Sequence, residues 1–179
     1  MKSQVNINDG GATLAGFNGL PRQDAVDSLM RCCGSRRWAE RMMAGRPFKS
    51  MEEIFDAAHS HWKNLERSDC LEAFGHHPRI GDLDSMRKKY AATSSWASEE
   101  QQGAQAASEE TINRLAIGNA EYETKFGHVF LICATGKSAS EMLTNLDSRM
   151  TNDSDTEMQI AMNEQAKITR LRLEKLFRP

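Results

Sequence analysis

The chain has 179 residues, 39% of them hydrophobic and 27% charged, with only 4 prolines and 12 glycines. That is the length of one domain with enough apolar material for a core, which excludes a collagen-like or wholly disordered chain. Its 23 basic and 25 acidic residues nearly cancel to a formal charge of -2, so there is no broad cationic surface to recruit nucleic acid or an anionic membrane.

No apolar run approaches the roughly eighteen residues of a membrane span. The opening MKSQVNINDGG lacks the apolar stretch of a secretory signal, so a cytoplasmic protein is expected. Cys32 and Cys33 are adjacent, Cys70 stands alone and Cys133 lies in an apolar run. Without a CxxC pair, neither a zinc ribbon nor a dithiol redox motif is supported, and buried, reduced thiols are expected.

Residues 1–12 read as a loose tail and 13–179 as a single compact all-α domain. Pro21 suits a first helical position, followed by Ala25, Val26, Leu29 and Met30 at helical spacing. Ser35 is placed to cap a short helix through Trp38 and Met42, which Gly45, Arg46 and Pro47 would end. Ser50 and Glu53 fit a capping box, with Ile54, Ala57, Ala58 and Trp62 as the apolar stripe behind them. Gly, Pro and Asp at short spacing from Gly75 to Tyr90 predict an irregular connection.

Further along, Ser108 is placed to cap a helix holding Ile112, Leu115, Ala116, Tyr122 and Phe126, with Gly127 as its stop. His128 to Ala134, HVFLICA, is a short apolar run that fits a lone extended segment or the start of a helix. Ser138 and Glu141 form another capping box ahead of Met142, Leu143 and Leu146. A last helix is expected from after Asn152 to about Phe177, with Met158, Ala161, Ile168 and Leu171 facing inward.

Four of the five histidines cluster at 59, 61, 76 and 77. His59 and His61 would project about 200° apart on a helix, His76 and His77 diverge too, and no HExxH spacing occurs, so a metal site is not expected. His77 precedes Pro78, which bars it from a regular helix. An imidazole fixed on a rigid loop suits general acid–base work, although a surface histidine fits as well.

If Ser98 is an N-cap, Glu100 and Gln101 fall in the first helical turn, where the helix dipole favours an ionised carboxylate. A carboxylate beside an amide matches a urea or cyclic imide; plain helix capping is the alternative. An unpaired HVFLICA segment would offer backbone groups to a ligand, or else be a buried strand or turn. Arg172, between Leu171 and Leu173, would need an anion if drawn inward, unless it is exposed or salt-bridged.

GHHPRIG at 75–81, SEEQQG at 98–103, NAEYETKFGHVFLICATGKSA at 119–139, RMTN at 149–152 and ITRLRL from Ile168 together resemble the OHCU (2-oxo-4-hydroxy-4-carboxy-5-ureidoimidazoline) decarboxylases of urate degradation. The similarity spans roughly Thr13 to Phe177. ICATGKSA resembles the bacterial branch, since several eukaryotic members carry arginine where Thr135 stands.

The resemblance implies an all-helical fold, no cofactor, and loss of CO₂ from OHCU to give (S)-allantoin. Carried over by motif, the catalytic set is His77, Glu100 and Arg172. Substrate contacts fall on Pro78, Ala97, Ser98, Gln101 and the segment Phe130, Leu131, Ile132, Cys133 and Ala134. For partners, the resemblance implies the substrate OHCU, a homodimer as an option, and a hydroxyisourate hydrolase upstream, with contact between the two proteins left open. Two other readings stay open: a non-catalytic helical module for a small ureide or a partner protein, and a metal-dependent hydrolase built on the histidines.

Overall fold

A computed structural model describes residues 13–77 and 100–177, with residues 100–108 described by their backbone alone. The expected tail at 1–12 and most of the irregular connection after Gly75 lie outside the described residues. Eight helices and no strand occur among the described residues, so the fold is all-α. None of these helices is long and apolar enough to cross a membrane. The chain falls into two units, Met1–His76 with Gln165–Pro179, and His77–Glu164.

In the first unit, α1 (Leu14–Asn18) is capped by Thr13, whose hydroxyl accepts from the Gly16 amide. Helix α2 (Arg22–Cys33) starts directly after Pro21 and ends at Gly34, where φ is +85°. Helix α3 (Arg36–Ala44) takes Ser35 as its cap, as the sequence predicts, and Gly45 follows it. Helix α4 (Met51–Lys63) is capped by Ser50. Here the expected box is altered: Ser50 accepts from the Glu53 amide, but the Glu53 carboxylate takes the Lys49 amide at 2.6 Å, one residue earlier.

Helix α5 (Arg67–Gly75) has no counterpart in the sequence reading. It opens on Glu66 and Asp69, where Asp69 accepts from the Glu66 amide at 3.2 Å. Acids replace the Ser and Thr of the usual signal, and the helix is short. α3 touches α2, α4 and α5. Its Trp38 is fully buried and donates its indole N–H to the Ala58 carbonyl at 3.0 Å. Leu29, Met42 and Phe74 are also fully buried, each such side chain contributing about 1.5–3 kcal/mol.

The second unit begins with α6 (Glu100–Phe126). Ser108 lies inside this helix and does not cap it: EQQGAQAA before it is mostly strong helix formers, and one glycine does not stop the run. Gly127, at φ +76°, ends the helix as expected. Helix α7 (Ala139–Arg149) carries the full Ser138–Glu141 capping box. It packs on α6 around Ile112, Leu115, Tyr122, Phe126, Met142 and Leu146. A Cβ at Gly118 would lie 2.7 Å from the Leu146 side chain, so the helices meet closely there.

Helix α8 (Ser154–Leu176) gives its first part to the second unit and its remainder to the first. Its start is capped by Asp153, which accepts from the Asp155 and Thr156 amides. Its buried residues are Glu157, Met158, Ala161, Gln165, Thr169 and Leu173, three of them polar. Leu171, expected inside, is 39% exposed. Two residues from both Thr169 and Leu173, it points about 200° away from them around the helix.

Candidate active site

His77 sits just past the end of α5. The His76 amide closes the helix on the Ala73 carbonyl at 3.2 Å, and His77 follows in a bend, half-buried, before Pro78. This is the non-helical placement that the proline demands. The turn is also shaped from α2: a Cβ at Gly34 would meet the His76 Cβ at 2.8 Å and the Ala73 carbonyl at 3.2 Å. Gly34 is therefore needed twice, for its positive φ and for the close approach of His76.

Glu100 and Gln101 are the first two residues of α6. Their backbone position is the first turn, where the dipole favours negative charge. Their side chains lie outside the described residues, as do Pro78, Ala97 and Ser98.

Residues 128–134 run between α6 and α7 in neither helix nor strand, which removes the helix-start alternative. Phe130, Leu131 and Ile132 are buried. Among the described residues no strand lies alongside, and side chains meet the backbone. Arg149 donates Nη1–H to the Leu131 carbonyl at 2.6 Å, and Glu164 accepts the Cys133 amide at 2.7 Å. Lys137 Nζ donates to the Cys133 carbonyl at 3.0 Å, and the Lys137 amide turns back to Ala134. The segment is thus clamped by charged groups, which make stronger hydrogen bonds than neutral ones.

The Arg149 end of the clamp is itself buried. Arg149 is 6% exposed and Glu157 is 0%. Glu157 accepts from Arg149 Nε–H at 2.8 Å, from Arg149 Nη2–H and from the Tyr122 hydroxyl, while Asn152 donates to its second oxygen at 2.8 Å. The guanidinium lies over the Phe130 ring, 4.6 Å from its centroid. Burial, then the hydrogen bond to Glu157, pushes the Tyr122 phenol well above its usual range. A buried pair is favourable only when hydrogen bonds satisfy it, and among the described residues the bonds of this pair run to this cluster or to Leu131.

In the first unit, Arg172 is half-buried, and its Nη1 reaches the Arg31 and Cys32 carbonyls at the end of α2, each at 3.4 Å. It meets the negative end of a helix dipole, a neutral substitute for the anion that an inward guanidinium calls for. Cys32, Cys33 and Cys70 are buried as expected, whereas Cys133 is half-buried. Burial pushes Cys32 and Cys33 up to about 11 and about 12. A cavity of about 390 Å³ lies between α4 and α8, lined by Phe55, His59, Trp62, Lys167 and Arg170 among others. His77, Arg172 and residues 130–134 do not line it. Among the described residues, no group of three His, Cys, Asp or Glu side chains is arranged to hold a metal.

The family model for OHCU decarboxylase matches residues 18–174. The chain belongs to the OHCU decarboxylase family. It is 38% identical over 153 residues to the uric acid degradation bifunctional protein TTL of Arabidopsis thaliana, covering 84% of this chain and 47% of that protein. It is 27% identical over 166 residues to the 2-oxo-4-hydroxy-4-carboxy-5-ureidoimidazoline decarboxylase of Haloferax volcanii, covering 92% and 96%. Among solved structures it resembles OHCU decarboxylase crystallised in the presence of (S)-allantoin. That match has TM-score 0.69 and 36% identity, covering 84% of this chain and 97% of the other. The chain spans 47% or less of the bifunctional relatives it matches.

Within the second unit of this OHCU decarboxylase family member, His77 lies in a bend, Glu100 in α6 and Phe130–Ala134 on the connection from α6 to α7. Sequence reasoning missed the residues that hold the last of these. Arg149 and Asn152 were visible as the ends of the RMTN motif, but nothing local pairs them with Glu157 on the next helix.

Proposed function

We propose that the protein decarboxylates OHCU to (S)-allantoin, a step of urate degradation. The observation that carries this reading is the match, over 84% of the chain, to an OHCU decarboxylase crystallised in the presence of (S)-allantoin. The C–C bond to the carboxylate breaks, CO₂ leaves, and the electron pair stays on the ring, where conjugation delocalises it. The substrate serves as its own electron sink, so the protein's task is to orient, exclude water and deliver a proton.

In this reading His77 carries the proton, first accepting from the ring hydroxyl and then protonating carbon from one face, which gives a single enantiomer. Glu100 holds the ureido N–H groups and fixes the His77 tautomer. Gln101, Pro78, Ala97 and Ser98 complete the contacts, and Arg172 anchors a substrate oxygen. Phe130 to Ala134 grip the ureide edge through backbone groups other than those already bound to Arg149, Glu164 and Lys137. The same reading has the protein in the cytoplasm, downstream of a hydroxyisourate hydrolase, and able to work as a homodimer.

Freshly generated OHCU supplies the test, with its absorbance decay followed together with the optical activity of the product. The wild type is expected to speed the decay and yield (S)-allantoin. His77→Ala is expected to abolish stereospecific formation while keeping a helical circular dichroism spectrum. Full retention of rate in the variant would exclude the proton-transfer role, and an inert wild type would favour a ureide-binding module.

A further inference from the structure

Residues 128–134 have the length and apolar content of a strand, but among the described residues no strand lies beside them. An unpaired backbone of this kind is held only if something else fixes its carbonyls and amides. Arg149 is the most buried of the groups that do so, and one side chain makes both connections. Nη1 binds the Leu131 carbonyl at 2.6 Å, while Nε and Nη2 bind Glu157. A planar guanidinium can serve two acceptors in fixed directions, which a single ammonium cannot. Tyr122 and Asn152 fix Glu157 from two further sides.

From this geometry we infer that Arg149, oriented by Glu157, is a positioning residue that sets the register of Leu131 to Ala134 for substrate recognition. The inference rests on the reading of 130–134 as the substrate-gripping segment. A pair kept only for stability has no need of the Leu131 carbonyl. A well-packed uncharged replacement serves stability as well or better. Losing the carbonyl bond shifts the recognition backbone while leaving proton transfer at His77 intact. The expected signature is therefore a raised KM with kcat preserved.

Two variants test this. Arg149→Lys keeps a positive charge for Glu157 but cannot also reach Leu131. The double variant Arg149→Met/Glu157→Gln removes both charges, leaving an amide to serve Tyr122 and Asn152. Both are expected to melt cooperatively, with KM for OHCU raised about tenfold or more and kcat within about threefold of wild type. Amide hydrogen exchange, which needs no substrate, is expected to quicken at 131–134 and stay unchanged in α6 and α7.

Folded variants with wild-type KM and wild-type exchange would overturn the proposal. Failure of both variants to fold would also overturn it, by assigning the pair to global stability. The exchange arm separates this inference from the decarboxylase reading. A wild type that leaves OHCU untouched sinks that reading, while local loosening at 131–134 still reports what Arg149 positions.

Discussion

The two units differ in whether they bury charge. In the first, the buried polar side chains are neutral and lean on helix backbones: Gln165 donates to the Cys33 carbonyl and to Thr169, Ser28 to the Asp24 carbonyl, and the Trp38 indole to Ala58. In the second, Glu157 and Arg149 are buried as a charged pair with Tyr122. Neutral groups resting on helix carbonyls leave no buried charge behind when one partner is removed, so each can be lost at modest cost. The ionic cluster joins α6, α7, α8 and an irregular segment through one guanidinium, so removing one member strands the others. The first unit rests neutral groups on helix backbones, and the second uses charge to hold a segment that has no secondary structure of its own.

The largest effect that would break this comparison is at Glu157. Glu157→Ala leaves the Arg149 charge buried and unpaired, with an expected loss of about 3–5 kcal/mol in urea or thermal unfolding. A loss below about 1 kcal/mol, the value of one neutral hydrogen bond, would mean that the two units do not differ. Gly34→Ala is the sharpest probe of the first unit. It imposes a positive φ on alanine and drives its Cβ against His76 and the Ala73 carbonyl. A loss of about 1–2 kcal/mol is expected from the backbone alone, together with a displaced His76–His77 turn visible as shifted histidine resonances.

The smallest expected effect is at a helix start. The Ser138 amide and hydroxyl hold the Glu141 carboxyl below its usual 4.5. A carboxyl lowered by folding stabilises the protein above the unfolded value and loses that contribution as pH falls through the lowered one. Glu141→Gln is therefore expected to remove a small part of the acid dependence of unfolding below about pH 4.5 and to change nothing near neutrality. An unchanged acid limb would show that the capping box carries no linkage.

Much of the fold was legible because its signals are local. Ser35, Ser50 and Ser138 each cap the helix that follows, Gly127 ends α6, and Pro78 keeps His77 out of a helix. Errors arose where local signals compete. Ser108 reads as a cap yet lies inside α6, because the residues before it favour helix as strongly as those after it. Leu171 reads as core on hydrophobicity alone, although the buried line of α8 passes through polar Gln165 and Thr169.

Of the candidate site, the motifs named His77, Glu100 and Phe130–Ala134, but not what holds that last segment in place. Arg149 and Leu131 are 18 residues apart and Arg149 and Glu157 are 8. No periodicity links a helix end, an irregular segment and the next helix start, so only the folded chain brings them together.

The measurement that bears most directly on the central claim is a crystal structure of the complex with (S)-allantoin. The account predicts the ureide hydrogen-bonded to backbone groups of residues 130–134, with Arg149 still on the Leu131 carbonyl and the His77 imidazole within hydrogen-bond reach of the ring. A ureide lodged in the cavity between α4 and α8, or more than about 10 Å from His77 and so beyond direct or single-water contact, would contradict it.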